Sequence, residues 1–116
     1  MNFENLSQLA KEEVQRVRAA LPQKVGDCLD ETPVFFELHP TADDLAKGIE
    51  PDTLGLFDPG TDDTPLPHIR LWLENIWDYA EGDPQVFVEE VRTTLLHEIG
   101  HLIGWGEEDV EDRGLG

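Results

Sequence analysis

The stretch that decides the fold is residues 97–107, which reads HEIGHLIGWGE. His97 and His101 are four positions apart, so on a helix their side chains project from the same face and can both reach one metal ion. Glu98 lies beside them, where its carboxylate can take a proton from a metal-activated water. The motif therefore predicts a helix that carries a zinc site on one face.

A third metal ligand must come from outside this pair of histidines, because a catalytic zinc usually has three protein ligands and one open position. On a continuing helix, Glu107 would be turned by about 240° from His101 and lie about 9 Å further along the axis, out of reach. Gly104 and Gly106 permit a sharp turn that would end the helix before Glu107. We predict Glu107 as the third ligand. The alternatives are the acidic residues that follow it, Glu108, Asp109 and Glu111.

The motif lies at the end of a long predicted helix. Asp83 can cap this helix and Pro84 suits its first position, so we expect it to run from Pro84 to about Ile103. Apolar residues at helical spacing predict one buried stripe. These residues are Val88, Val91, Leu95, Ile99 and Leu102.

The preceding chain alternates between helical and strand patterns. A first helix begins near Phe3, keeps helical spacing to Leu21 and ends at Pro22. A short helical turn covers residues 44–47 and is capped by Thr41. Three segments rich in β-formers predict strands, and the two prolines before the last of them place its start at a sheet edge. These segments are Thr32–Leu38, Leu54–Phe57 and His68–Glu74.

These elements predict an α+β fold with short strands, an N-terminal helix and a long helix that carries HExxH. The 116 residues fit one domain, residues 1–116. The chain carries 26 acidic and 8 basic residues, a net charge of -18 at pH 7. This balance argues against nucleic acid or an anionic membrane as a partner, since both need Lys or Arg. Two more specific interpretations of the charge are that the protein prefers basic peptides, or that it mimics nucleic acid and occupies a nucleic-acid-binding protein.

Cys28 is the sole cysteine of the sequence, so an internal disulfide is impossible and a reducing compartment is expected. The N-terminal residues lack the basic start and apolar block of a secretory signal. No apolar run approaches the roughly 18 residues needed to span a membrane. We predict a cytoplasmic protein and favour a monomer.

The segment LLHEIGHLIGWGEE, residues 95–108, resembles the zincin metallopeptidases. Its extended HExxHxxG pattern is similar to that of the metzincins, with two departures. Glu107 stands where metzincins have a histidine, and the downstream Met-turn is absent because Met1 is the only methionine. The closer resemblance is to the small bacterial zincin-like metallopeptidases, single-domain proteins in which an acidic residue follows HExxHxxG. It is strongest over residues 91–114 and extends over residues 32–77.

This resemblance implies a minimal zincin-like α+β fold, in which a small mixed sheet packs on the N-terminal helix and on the long helix with HExxH. It also implies one zinc ion per chain and hydrolysis of peptide bonds in a peptide or protein substrate. By position in the motif, His97, His101 and Glu107 match the zinc ligands and Glu98 matches the general base. In such a mechanism zinc acidifies water and polarises the carbonyl, while the glutamate passes the proton to the leaving amine. A strand edge usually holds the substrate backbone, and our candidate is the strand His68–Glu74.

The sequence does not identify the residue that would stabilise the oxyanion. Zincins often use a tyrosine or histidine for this role. The candidates in this chain are Tyr79, His39, His68 and Arg113. Because none of them stands out, the alternative function is a non-catalytic, metal-stabilised peptide- or protein-binding module that retains the HExxH motif.

Overall fold

The structure is a computed structural model, which describes residues 1–62 and 65–106. The helices and strands alternate along the chain much as the sequence patterns predict. In order they are α1 (Phe3–Ala20), α2 (Gln23–Asp30), β1 (Val34–Glu37), α3 (Ala42–Ala46), β2 (Gly55–Asp58), β3 (His68–Trp72), α4 (Leu73–Tyr79) and α5 (Pro84–Gly106).

Two helices open the chain where the sequence predicts one. The side chain of Asn2 caps α1 by accepting from the backbone N–H of Asn5 at 2.8 Å. The predicted end of this helix before Pro22 is confirmed. A second helix, α2, follows at once, and the sequence patterns missed it. Proline stops one helix because it lacks an N–H, but for the same reason it is well tolerated where the next one starts.

The described strands form one mixed sheet in the order β1-β3-β2, with β3 parallel to β1 and antiparallel to β2. The prediction that the third segment begins at an edge is wrong, because β3 is the central strand. The two prolines precede it, so every one of its residues keeps the N–H that a ladder needs. Its predicted end is also wrong, since Leu73 already belongs to α4. The neighbours β1 and β2 are therefore the edges of this sheet.

The core lies between α5, α1 and one face of the sheet. Ile69 and Leu71 of β3 are fully buried on this face. The predicted stripe of α5 is confirmed at four of its five positions, whereas Val88 is only partly buried and Phe87 fills the core instead. A helix that packs on both a sheet and a second helix needs a buried face wider than one stripe. Within the described residues, no helix is long and apolar enough to cross a membrane.

The long helix continues further than the glycines of the motif suggest. The end predicted at about Ile103 is wrong, because α5 remains helical through Gly106. The turn predicted before Glu107 stays a prediction, because Glu107 lies outside the described residues. Glycines with positive φ do occur in the described residues, but they are Gly48, Gly60 and Gly82. A single glycine inside a helix costs only about 1 kcal/mol relative to alanine, which a well-packed helix tolerates.

Candidate metal centre

The two histidines of the motif face each other across one turn of α5. Their Nε2 atoms are 3.1 Å apart and both side chains are exposed. A tetrahedral zinc with Zn–N bonds of about 2.0–2.1 Å holds two ligand nitrogens about 3.3 Å apart. The spacing of His97 and His101 therefore fits two ligands of one zinc ion, with only a small adjustment of the side chains.

Glu98 occupies the side of α5 that faces the sheet. Its carboxylate Oε1 accepts a hydrogen bond of 2.8 Å from the backbone N–H of Phe57 in β2, and the residue is 7% exposed. The potential ligand atoms of His97, Glu98 and His101 all lie within 4.8 Å of one another. A backbone donor that belongs to a different element thus fixes one oxygen of the carboxylate beside the two imidazoles.

A close approach of β2 to α5 makes this contact possible. A Cβ atom placed on Gly55 would lie 2.6 Å from Cγ2 of Thr94 and 2.9 Å from Cδ2 of Leu71, which is closer than atoms pack. Any larger residue would force these side chains to shift, and two residues later Phe57 reaches Glu98. A glycine inside a strand pattern is itself a sequence signal for close backbone approach, although the sequence does not say which element approaches.

The strand beside the site is β2, an edge strand, and not β3 as predicted from the sequence. Trp72 donates its backbone N–H to the carbonyl of Leu54 at 2.9 Å. In an antiparallel ladder, the backbone N–H and C=O groups of successive residues alternately bond to the neighbouring strand and point away from it. Gly55 and Phe57 therefore direct their backbone groups away from β3, towards the side where Glu98 lies.

The other predicted site residues are placed elsewhere or lie outside the described residues. His68 is buried against Phe35 on the face of the sheet away from α5, and its Nδ1 is 3.0 Å from the carbonyl of Leu66. His39 contacts the carbonyl of its neighbour in the chain. Tyr79 ends α4. In the part of the chain that the structure describes, no hydrogen bond or ion pair joins these three to the histidine–glutamate cluster. Outside it lie Glu107, Glu108, Asp109, Glu111 and Arg113.

A charged cluster that the sequence patterns did not reveal ties together the face of the sheet opposite α5. Arg70 of β3 donates to both carboxylate oxygens of Asp44 at 2.7 and 3.0 Å, and to those of Glu37 at 2.8 and 3.2 Å. Its guanidinium lowers the pKa of Asp44 to about 2, and the two carboxylates in turn raise the pKa of Arg70. Since it links β1, β3 and α3 away from the histidines, we interpret this cluster as structural.

A helix that carries HExxH, with its glutamate tied to an antiparallel edge strand of a small mixed sheet, defines a zincin-like protein. The sequence model of the zincin-like metallopeptidase family matches residues 29–115, so the chain belongs to this family. The matched region includes the whole sheet and α5. A search of curated proteins found no significant match. Both the family predicted from the motif and the α+β, zincin-like fold class are confirmed.

Proposed function

We propose that this protein is a zinc-dependent peptidase in which His97, His101 and Glu107 hold the metal and Glu98 acts as general base. The observation that carries the proposal is the 3.1 Å spacing of the two imidazole nitrogens next to a carboxylate fixed on β2. When bound, zinc would supply the acidification of water and the polarisation of a peptide carbonyl.

The chain's own contribution to the reaction is the orientation of Glu98. The bond from the N–H of Phe57 fixes one oxygen of the carboxylate, so the group cannot rotate freely. Its other oxygen takes the proton of the attacking water and delivers it to the leaving amine, a role that contributes about 10²–10⁴-fold in rate for a well-placed group. The rigid α5 and the packed β2 keep this geometry without an additional side chain.

The edge of β2 supports binding of the substrate backbone. Because Gly55 directs its backbone groups away from β3, an extended peptide can lie along this edge as an added strand beside the Phe57–Glu98 contact. The bound peptide then passes directly over Glu98 and the two histidines. In this proposal β2 takes the role that the sequence assigned to the segment His68–Glu74.

Glu107 is proposed as the third ligand on the strength of its position in the motif. Since α5 is helical through Gly106, a ligand at Glu107 requires the chain to leave the helical path near the end of α5. Two glycines in the last turn weaken the helix there by about 1 kcal/mol each relative to alanine. The end of α5 can therefore rearrange at low cost when the metal binds.

A digest of a peptide library by the zinc-loaded protein tests this function. The wild type is expected to cleave peptides, and Glu98→Gln is expected to retain zinc and lose about 10²-fold or more of the rate. Glu89→Gln is the matched control, because it makes the same change at an exposed position of the same helix. Full zinc loading without any Glu98-dependent cleavage would contradict the proposal and favour the non-catalytic, metal-stabilised binding module.

A further inference from the structure

A cavity of about 550 Å³ opens where the chain enters β2. It lies between the turn that precedes β2 and the exposed side of α4. We refer to it as the Asp52–Asp78 pocket. Its lining residues are Pro51, Asp52, Leu54, Asn75, Asp78 and Tyr79.

Apart from the hydroxyl of Tyr79, which can donate or accept, the side-chain polar atoms that this pocket offers to a ligand are acceptors. Asp52 and Asp78 are exposed carboxylates. Asn75 donates both hydrogens of its side-chain amide, to the carbonyls of Pro51 at 2.8 Å and Thr53 at 2.9 Å. Its remaining amide atom is the acceptor oxygen. This lining suits a ligand that brings hydrogen-bond donors and positive charge.

The apolar part of the lining fits a long cationic side chain. Tyr79 is 62% exposed and presents an aromatic ring beside Leu54. Lysine and arginine bury their methylene stems against apolar surface while the charged end stays in a polar environment. An aromatic face adds a cation–π attraction for the same groups.

Two other cavities of the described residues are lined by charges of both signs. The cavity on the outer face of the sheet has Lys47 and Arg70 beside two carboxylates, and the groove between α1 and α5 has Arg16 and Arg92 beside one. A cationic side chain would have to compete there with the protein's own cations. The Asp52–Asp78 pocket carries no cation among its lining residues.

The pocket shares Leu54 with the segment of chain that enters β2. Leu54 lines it and directly precedes Gly55, the first residue of β2. Leu54 is three residues from Phe57, whose N–H holds Glu98. Since a strand advances about 3.3 Å per residue, this corresponds to about 10 Å along the edge.

We propose that the Asp52–Asp78 pocket binds a lysine or arginine side chain of the peptide substrate, about three residues from the bond that Glu98 acts on. This inference rests on the proposed function, because the peptide path along β2 relates the pocket to the reaction. The net charge of -18 attracts basic peptides over a long range but selects no position in them. The Asp52–Asp78 pocket selects the position in the peptide at which the basic side chain binds.

The test compares peptide pairs that differ only in lysine or norleucine at one position, scanned along the sequence. With the zinc-loaded wild type we expect kcat/KM to favour lysine over norleucine by about fivefold or more. This preference should occur at one position, about three residues from the cleaved bond. Its size is what one or two exposed ion pairs can contribute. The double variant Asp52→Asn/Asp78→Asn is expected to lose this preference. The matched control, Asp27→Asn/Asp43→Asn, makes the same change in net charge at two exposed sites elsewhere and is expected to keep it.

A binding measurement separates this inference from the proposed function. Glu98→Gln protein is titrated with blocked, alanine-rich peptides that carry one lysine or one norleucine. Glu98-dependent cleavage without a lysine preference, or with a preference that Asp52→Asn/Asp78→Asn leaves intact, overturns the pocket and leaves the peptidase standing. Absence of cleavage, together with lysine-selective binding that this double variant abolishes, supports the pocket and refutes the peptidase. Absence of both cleavage and lysine-selective binding overturns both proposals.

Discussion

At the scale of single residues, the geometry of the candidate site depends on Gly55, which lies in β2 outside the histidine–glutamate cluster. Gly55 lets β2 approach Thr94, and this approach brings the N–H of Phe57 to Glu98. The orientation of Glu98, the proposed general base, thus depends on how closely β2 packs against α5. A side chain at residue 55 would therefore disturb the position of Glu98 without touching its carboxylate directly.

We therefore expect Gly55→Ala to reduce the free energy of unfolding by about 1–3 kcal/mol, because its Cβ overpacks the contact, and to lower peptide cleavage. Thr94→Ser removes the methyl group that the new Cβ would meet at 2.6 Å. The double variant should recover part of both losses. Urea unfolding and cleavage rates on the four proteins of this cycle measure the coupling, and strictly additive effects would contradict the proposed contact.

At the scale of elements, α5 combines a rigid, packed length with a weak end. A Cβ placed on Gly104 meets no atom within 4 Å. In metal-free protein Gly104→Ala should therefore raise the free energy of unfolding by about 0.5–1 kcal/mol, through helix propensity alone. It should also weaken zinc binding, because Glu107 can reach the metal only if the chain leaves the helix.

Gly48→Ala is the contrasting control for this prediction. Gly48 also has open space around it, but its φ is 97°, a conformation that alanine adopts only with strain. We expect this variant to be destabilised, where Gly104→Ala is stabilised. Urea unfolding in chelator, followed by a zinc titration, measures both effects. Destabilisation by Gly104→Ala would show that residue 104 is not helical in solution.

The elements also show how far the sequence alone predicts this protein. Helix α5, its cap and the histidine pair follow from local spacing, and local spacing is what a sequence displays. The central position of β3 and the contact between Phe57 and Glu98 depend on residues far apart in the chain. Strand order and such contacts are set by packing of the whole sheet. The sequence patterns therefore placed the start of β3 at an edge, although β3 is the central strand. They also missed α2, because Pro22 has the same signature at the end and at the start of a helix.

At the scale of the whole molecule, the Arg70 cluster gives stability a dependence on pH. Arg70 lowers the pKa of Asp44 from 3.8 to about 2. A carboxyl group whose pKa is depressed in the folded state contributes stability above its unfolded pKa, and this contribution is lost as the pH falls through the folded value. The contribution of Asp44 is thus fully present at pH 7 and disappears between about pH 4 and pH 2.

We expect Asp44→Asn to lower the free energy of unfolding at pH 7 by about 2 kcal/mol, since one pKa unit corresponds to about 1.4 kcal/mol. The difference from the wild type should shrink steadily towards pH 2. Asp43→Asn is the neighbouring control, because Asp43 is exposed and lies outside the Arg70 cluster. Urea unfolding across this pH range measures both variants. If the difference in unfolding free energy between the wild type and Asp44→Asn stays constant from pH 7 to pH 2, the proposed role of the Asp44–Arg70 pair is contradicted.

Zinc stoichiometry and affinity test the central claim most directly. We predict that the protein binds one zinc ion per chain and that Glu98→Gln retains it. The variant His97→Ala/His101→Ala should lose the ion without losing its helical content, because both histidines are exposed on α5. Failure of the wild type to bind zinc, or equal zinc affinity in the double-histidine variant, would contradict the account.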